Sequence, residues 1–306
     1  MKISIVISVF NGSVFLQEQL DSIKNQTKKA DEVIICDDVS SDNSRTLIKT
    51  YIKKNCLEKS WKLVENKKNK GWRKNFFDGI KMCSGDYIFT CDQDDIWMPN
   101  KIEVMYNIMT KNNVIDVLVS DYISFSNSSN MHPKNTVKLA VKQLKINKHF
   151  MKVKRPGCTF CFKKNFFDSI ERYWNKDFNH DAFLWRSAII KGTLYICNQQ
   201  LIYWRQHSNS TFAIEKNTVR NSKAIRLELL KKSNCELSTY QSYASNEKFL
   251  KSLNYINYAL KRNSSRINLI EQLTFSNLLK EVYFLPSFDY KRSFIRDILV
   301  SLKGEN

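Results

Sequence analysis

Three carboxylates crowd the end of a short apolar run in the stretch GDYIFTCDQDDIWMPNK, residues 85–101: Asp92, Asp94 and Asp95. Like charges packed together repel unless a cation sits among them. Oxygen ligands of this kind suit Mg²⁺ or Mn²⁺, with the remaining positions left to water and phosphate. Asp92 and Asp94 are separated by one residue, so extended backbone would point both to the same side. The alternative is a solvated acidic turn that caps a helix from Pro99 onward. The preceding Tyr87-Ile88-Phe89 is brief, aromatic and β-branched and follows Gly85-Asp86, which predicts a buried strand. Carboxylates just past the carboxyl end of such a strand stand where open α/β sheets bind their ligands.

The elements that must position these groups follow from the pattern along the chain. Ile3 to Phe10 is a near-continuous β-branched run, as in a central parallel strand buried on both faces. Val14 to Gln26 has helical spacing. A second strand, Glu32 to Cys36, precedes a helix holding Leu47-Ile48 and Tyr51-Ile52. A third, Trp61 to Val64, precedes a helix through Phe76, Phe77 and Ile80. With the strand at Tyr87 this makes a βαβαβαβ series, which predicts an α/β fold with a doubly wound, mostly parallel sheet flanked by helices. Then come a helix (101–109), a strand (117–119), a polar loop (124–138), a strand (157–162) and a helix (166–173). A further helix opens at His180-Asp181, and two short strands, 193–196 and 201–204, close the core. Beyond residue 210 only helical spacing remains. The expected domains are 1–214, catalytic, and 215–306, a helical C-terminal extension.

The 306 residues carry a formal charge of +19, with 42% hydrophobic content. That composition allows a sizeable core and demands an account of the charge: nucleic acid, anionic lipid, phosphorylated substrate, or a solvated surface. No run is long and apolar enough for a transmembrane helix, and Met1-Lys2-Ile3 leads straight into a strand, so a cytoplasmic location is expected. Eight scattered cysteines read as small buried residues in a reducing compartment. Cys158 and Cys161 form a lone CxxC without a second pair, a weak zinc or redox signal.

Taken in order, ISVFNG (7–12), DDVSSDNS (37–44), Asn69-Lys70-Gly71, DQDD (92–95), His180-Asp181 and YWRQHSNS (203–210) form a pattern. It resembles the family 2 glycosyltransferases of the GT-A fold over roughly residues 1–210. NKGWRKNFFDGI, DQDDIWMPNKI and YWRQH look closest to the bacterial rhamnosyltransferase-like branch. Val39 stands where the family usually has Gly, which puts the local turn in question more than the pocket.

The resemblance implies a nucleotide-sugar donor, UDP- or dTDP-linked, and a glycan or lipid-linked glycan acceptor of a cell-surface polysaccharide. It assigns Phe10, Asn11, Asp37, Asp38, Asn69, Gly71 and Asp92 to the nucleotide. Asp37 or Asp38 can accept from a pyrimidine N3–H or a ribose hydroxyl, although an N-cap turn before Ser44 is the plain alternative. A divalent metal, Mn²⁺ or Mg²⁺, falls to Asp92 and Asp94, with His207 as a neutral imidazole ligand. Asp95, Trp97, His180 and Arg205 are expected at the diphosphate or acceptor. Asp181 is expected as the catalytic base; by residue type alone it is an N-cap. One base without a second nucleophile implies single displacement and inversion.

Two other readings compete. A nucleotide-sugar-binding protein without catalysis would lack the acidic knot or Asp181, and both are present. A nucleic-acid-binding role rests on charge alone, without a motif, so nucleic acid is not an expected partner. The C-terminal helices mix Lys231-Lys232, Lys261-Arg262 and Lys291-Arg292 with apolar residues at helical spacing. They could lie on an anionic membrane, at the inner face of the plasma membrane, or pack on the protein or a second subunit. A homo-oligomer stays open.

Overall fold

The computed structural model describes residues 1–126, 138–207, 222–284 and 291–302. The chain divides into two compact units, Met1–Lys145 with Val153–His207, and Ile146–Lys152 with Ser208–Asn306. The expected boundary near residue 215 and most of the polar loop at 124–138 lie outside the described residues.

The first unit is built on a nine-stranded mixed sheet. Strands β1 (Ile3–Val9), β2 (Glu32–Asp37), β3 (Trp61–Glu65) and β4 (Tyr87–Cys91) alternate with helices α1 (Ser13–Lys24), α2 (Ser44–Lys54) and α3 (Trp72–Met82). They lie in the order β3-β2-β1-β4, all parallel. Every residue of β4, and all but Ser8 of β1, is buried, because helices cover both faces of this part of the sheet. Register pairs Val9 with Asp37 and Ile7 with Cys91. The carboxyl ends of β1, β2 and β4 therefore finish on one edge, which brings residues 10–12, 37–40 and 92–95 to the same place.

Beyond β4 the topology changes. β5 (Ile96–Trp97) precedes α4 (Lys101–Lys111), and β6 (Val117–Phe125) precedes the short edge strand β7 (Val141–Gln143). The expected strand at 157–162 begins instead as a 3₁₀ turn, Gly157–Thr159, and only Phe160–Lys163 is strand, here β8. β8 inserts antiparallel between β4 and β6. α5 (Lys164–Ile170) ends in a 3₁₀ turn at Glu171–Tyr173, which shortens the helix expected to reach residue 173. α6 spans His180–Lys191 and stops at Gly192, whose φ of 84° is the left-handed C-cap that glycine adopts without strain.

The two closing strands predicted at 193–196 and 201–204 are one, β9 (Leu194–Arg205). Its polar middle, Asn198-Gln199-Gln200, stays in the sheet beside β6, whose register shifts twice between Val119 and Ile123. Polar side chains broke the apolar pattern without breaking the ladder. β9 also pairs antiparallel with β5 and β7.

The second unit is helical: α7 (Lys223–Asn246), α8 (Leu250–Glu271), α9 (Phe275–Phe284) and α10 (Lys291–Leu302). Leu230, Ile270 and Val300 form a small apolar cluster from α7, α8 and α10, joined by Leu227 and Ile267. No helix among the described residues is long and apolar enough to cross a membrane.

Candidate active site

The site is assembled at the carboxyl edge of the sheet from four places in the chain. β4 delivers Asp92, and the following turn delivers Gln93, Asp94 and Asp95. The 3₁₀ turn Gly157–Thr159 is held against β4 by Thr90, whose Oγ1 donates to the carbonyl of Gly157 at 2.6 Å. A side chain at Gly157 would stand 3.1 Å from the Cβ of Asp181 and 2.9 Å from the Nε2 of His180, so only glycine allows this approach. The fourth contribution is the end of β9, brought in by the β5–β9 pairing of Ile96 with Tyr203 and Trp97 with Ile202.

Ligand atoms of Asp92, Asp95 and Cys158 lie within 4.8 Å of one another. Burial first, then the charges of Asp95, Asp94 and Asp181, hold the Asp92 carboxyl well above the usual range. Burial, then Asp94, pushes Asp95 up to about 7. One Asp95 oxygen accepts from the backbone N–H of Arg205 at 2.9 Å. Its other oxygen, Oδ2, is buried without an N–H or O–H donor among the described residues, and the weak thiol of Cys158 lies beside this carboxyl. Burial keeps that thiol protonated. Clustered carboxylates with an unpartnered buried oxygen are a donor set that fits a hard divalent cation such as Mn²⁺ or Mg²⁺.

Asp94, in the same turn, has its Oδ2 2.7 Å from the Nε2 of His207. Arg205 braces the turn from outside. Its Nε donates to the Asp94 carbonyl at 2.7 Å, its Nη2 pairs with Glu18, and its guanidinium lies over the rings of Phe15 and Phe125. Those contacts occupy Arg205 with the knot itself. Beneath the knot Lys101 is fully buried, donates from Nζ to the Cys158 carbonyl and lies 4.0 Å over the Trp97 ring. Burial lowers its pKa, against the pull of nearby acids that include Asp95.

Asp37 and Asp38, expected at the nucleotide, have internal partners. Asp37 is fully buried, accepts from Val39 N and Ser40 N at 3.1 Å each, and pairs with Arg45. Asp38 accepts from Asn66 Nδ2, Lys70 N and Gly71 N at 2.9, 2.9 and 2.8 Å. It thereby folds the Asn69–Gly71 segment over the end of β2, with Asn69 Nδ2 on its carbonyl at 3.1 Å. Gly71 has a φ of 79° and open space where a Cβ would be. Phe10 and Asn11 end β1 exposed, and Asn11 Oδ1 accepts from Ser41 N at 2.8 Å. Val39 sits at a φ of 68°, a left-handed conformation that a β-branched residue adopts only under constraint. The departure from glycine noted in the sequence is thus a strained turn, clamped by Asp37.

Asp181 lies half-buried in the first turn of α6, its Oδ1 accepting from Ala182 N at 2.7 Å. Its charge reaches Asp92. His180 also comes up to Gly157, through its ring. It is buried and stacked on Phe76 with centroids 4.0 Å apart, and burial drives its pKa down to about 4, so the ring is neutral. Trp97, also expected at the diphosphate or acceptor, is in the core under Lys101 and against Phe89. The structure gathers Asp92, Asp94, Asp95, Asp181, Arg205 and His207, and sets His180 and Trp97 behind them as packing.

Four contributors escape sequence reading. Gln93, the spacer between the two aspartates, is a staple, accepting from Phe10 N at 2.8 Å and donating to Phe10 O at 3.1 Å. Glu18, Lys101 and Cys158 complete the bracing. The only signal for Cys158 was its CxxC partner Cys161, which lies in the core.

The sequence model of glycosyl transferase family 2 matches residues 4–174, more than half of the chain. Among curated proteins, dTDP-rhamnosyl transferase RfbG of Shigella flexneri is 29% identical over 220 residues, 67% of this chain and 72% of that one. The Escherichia coli UDP-Glc:alpha-D-GlcNAc-diphosphoundecaprenol beta-1,3-glucosyltransferase WfgD is 32% identical over 127 residues, 42% of this chain and 48% of that one. Among solved structures, S. aureus TarS 1-349 in complex with UDP superposes with a TM-score of 0.60 at 14% identity, covering 98% of this chain and 83% of that one. That likeness carries the GT-A fold.

Proposed function

The chain belongs to glycosyl transferase family 2, and from that premise we propose that it is a metal-dependent, inverting enzyme. It takes a sugar from a UDP- or dTDP-linked donor and attaches it to a hydroxyl of a glycan or lipid-linked glycan in cell-surface polysaccharide synthesis. The observation that carries the reading is the approach of Asp181 to the acidic knot across Gly157, close enough for its charge to raise the Asp92 carboxyl.

In the proposed reaction the acceptor hydroxyl oxygen bonds to the anomeric carbon as the bond to the diphosphate oxygen breaks. Asp181 takes the hydroxyl proton, and the nucleoside diphosphate departs with the bond pair. One base on one face supports single displacement with inversion. Asp92 and Asp94 would hold the divalent metal, with His207 beside Asp94 and the buried Asp95 beside Asp92. When bound, the ion neutralises the charge that develops on the departing diphosphate. Lys101 and Arg205 keep the knot's backbone in place from below and outside, and the Asp38-bound loop shapes the nucleotide end.

The named substrates of RfbG and WfgD support a dTDP- or UDP-sugar and a lipid diphosphate acceptor. A lipid-linked acceptor would place the enzyme at the cytoplasmic face of the membrane. The test is a panel of UDP- and dTDP-sugars with Mn²⁺ or Mg²⁺, scored by nucleoside diphosphate release. Release from one donor with the wild type and loss of it in Asp181→Asn supports the reading; no release from any donor, with nucleotide still bound, favours a binding protein.

A further inference from the structure

Helices α9 and α10 each bury their one acidic residue and leave a row of apolar residues exposed. On α9 the one acidic residue, Glu281, is fully buried, while Phe275 and Tyr283 are 75% and 73% exposed. Leu279 and Val282 are exposed between them, which completes an i, i+4, i+7, i+8 apolar face. On α10 the one acidic residue, Asp297, is fully buried, and Ile295, Leu299 and Leu302 form an exposed i, i+4, i+7 face.

The acid of α10 has partners on two neighbouring helices, and that of α9 is buried close to one of the same arginines. Asp297 pairs with Arg226 of α7 at 2.8 Å and with Arg266 of α8 at 2.7 Å. Glu281 lies beside Ser265, Arg266 and Arg262 of α8, and near Asp297. The ion pairs of Asp297 fix which way α10 faces, and the burial of Glu281 against α8 sets the inward side of α9. The described charges left outside on these helices are Lys280 and Arg296, both cationic.

We propose that this face docks on an anionic lipid bilayer, with the aromatic and aliphatic side chains among the acyl chains and the cations at the headgroups. Charge complementarity selects this occupant. A second copy meeting the same patch about a two-fold axis would set cations against their images, with both acids buried and unable to compensate. Nucleic acid would meet the cations but leave the apolar faces in water. The inference rests on the proposed function only for what the bilayer carries; docking is independent of the chemistry at Asp181.

The full-length protein is mixed with phosphatidylcholine vesicles, with or without phosphatidylglycerol, and floated on a density gradient. Flotation is expected only with phosphatidylglycerol and should weaken with salt. Lys280→Gln and Arg296→Gln should each weaken partitioning about fivefold. Leu279→Ser with Leu299→Ser, both at exposed positions, should abolish flotation with an unchanged circular dichroism spectrum. Asp181→Asn should float like the wild type, so failure of docking and failure of the transfer reading are read separately. Equal flotation with neutral vesicles would overturn the anionic assignment. So would no flotation accompanied by a dimer that Leu279→Ser dissolves, which gives the face to a second copy.

Discussion

The Nε2 of His207 lies 2.7 Å from Oδ2 of Asp94, a residue 113 positions earlier in the chain. The two-residue pairing of β5 with β9 makes this contact and carries Arg205 onto Asp95 in the same stroke.

If these groups hold a divalent ion, Asp92→Ala or Asp94→Ala abolishes sugar transfer while the far-ultraviolet spectrum is retained. EDTA stops the wild type, and Mn²⁺ or Mg²⁺ restores it. His207→Ala is expected to weaken Mn²⁺ binding by about 10–100-fold in a paramagnetic titration. Undiminished turnover in EDTA would remove the metal from the mechanism.

For the base, Asp181→Asn keeps the hydrogen bond to Ala182 N but cannot take a proton. The expected result is a fall in kcat of roughly 10²–10⁴-fold, with nucleotide affinity unchanged in calorimetry. Near-normal kcat would move the base elsewhere, with Asp177 or His180 the next to test.

Asp37→Ala and Asp38→Ala should weaken donor binding more than they slow chemistry, and pyrimidine nucleotides should raise the melting temperature where purine ones do not. The structure adds a stability cost. Asp37→Ala strands Arg45 and frees two backbone N–H groups, about 1–3 kcal/mol in denaturant unfolding. Equal protection by GDP would contradict the assignment of this pair to a pyrimidine.

Val39→Gly should raise stability. Releasing a left-handed β-branched residue recovers about 1–2 kcal/mol, while glycine's extra unfolded freedom returns about 0.4–1. The expected net gain lies between about 0 and about 1.6 kcal/mol. A lower melting temperature would mean that the isopropyl group packs on the turn strongly enough to outweigh the strain.

His180 makes stability depend on pH in a defined window. Its pKa is about 4 in the folded chain against 6.5 normally, so below pH 6.5 the unfolded state binds the extra proton first. Its contribution is complete above pH 6.5 and is lost as pH falls toward 4, a few kcal/mol at most. His180→Phe should flatten that part of the stability profile; an unchanged slope would assign the acid sensitivity to other groups.

Local pattern was enough for the βαβαβαβ half of the sheet. An unbroken β-branched run such as Ile3–Val9 satisfies itself only when buried on both faces, and 3.6-residue spacing in α1 to α3 supplies the cover. The order of the motifs, through the resemblance it carries, put forward Asp92, Asp94, Asp181 and His207 as candidates. Tertiary packing decided the rest. Whether Trp97 faces ligand or core depends on Lys101 and Phe89 beneath it, and the apolar sequence around Trp97 is the same in either case. Cys158 meets Asp92 and Asp95 only because β8 enters antiparallel between β4 and β6. The outward turn of α10 is set by Arg226 and Arg266 on other helices, so a helical period could identify its faces but not which one meets water. Periodicity records local geometry, and these choices are made by side chains distant in the chain.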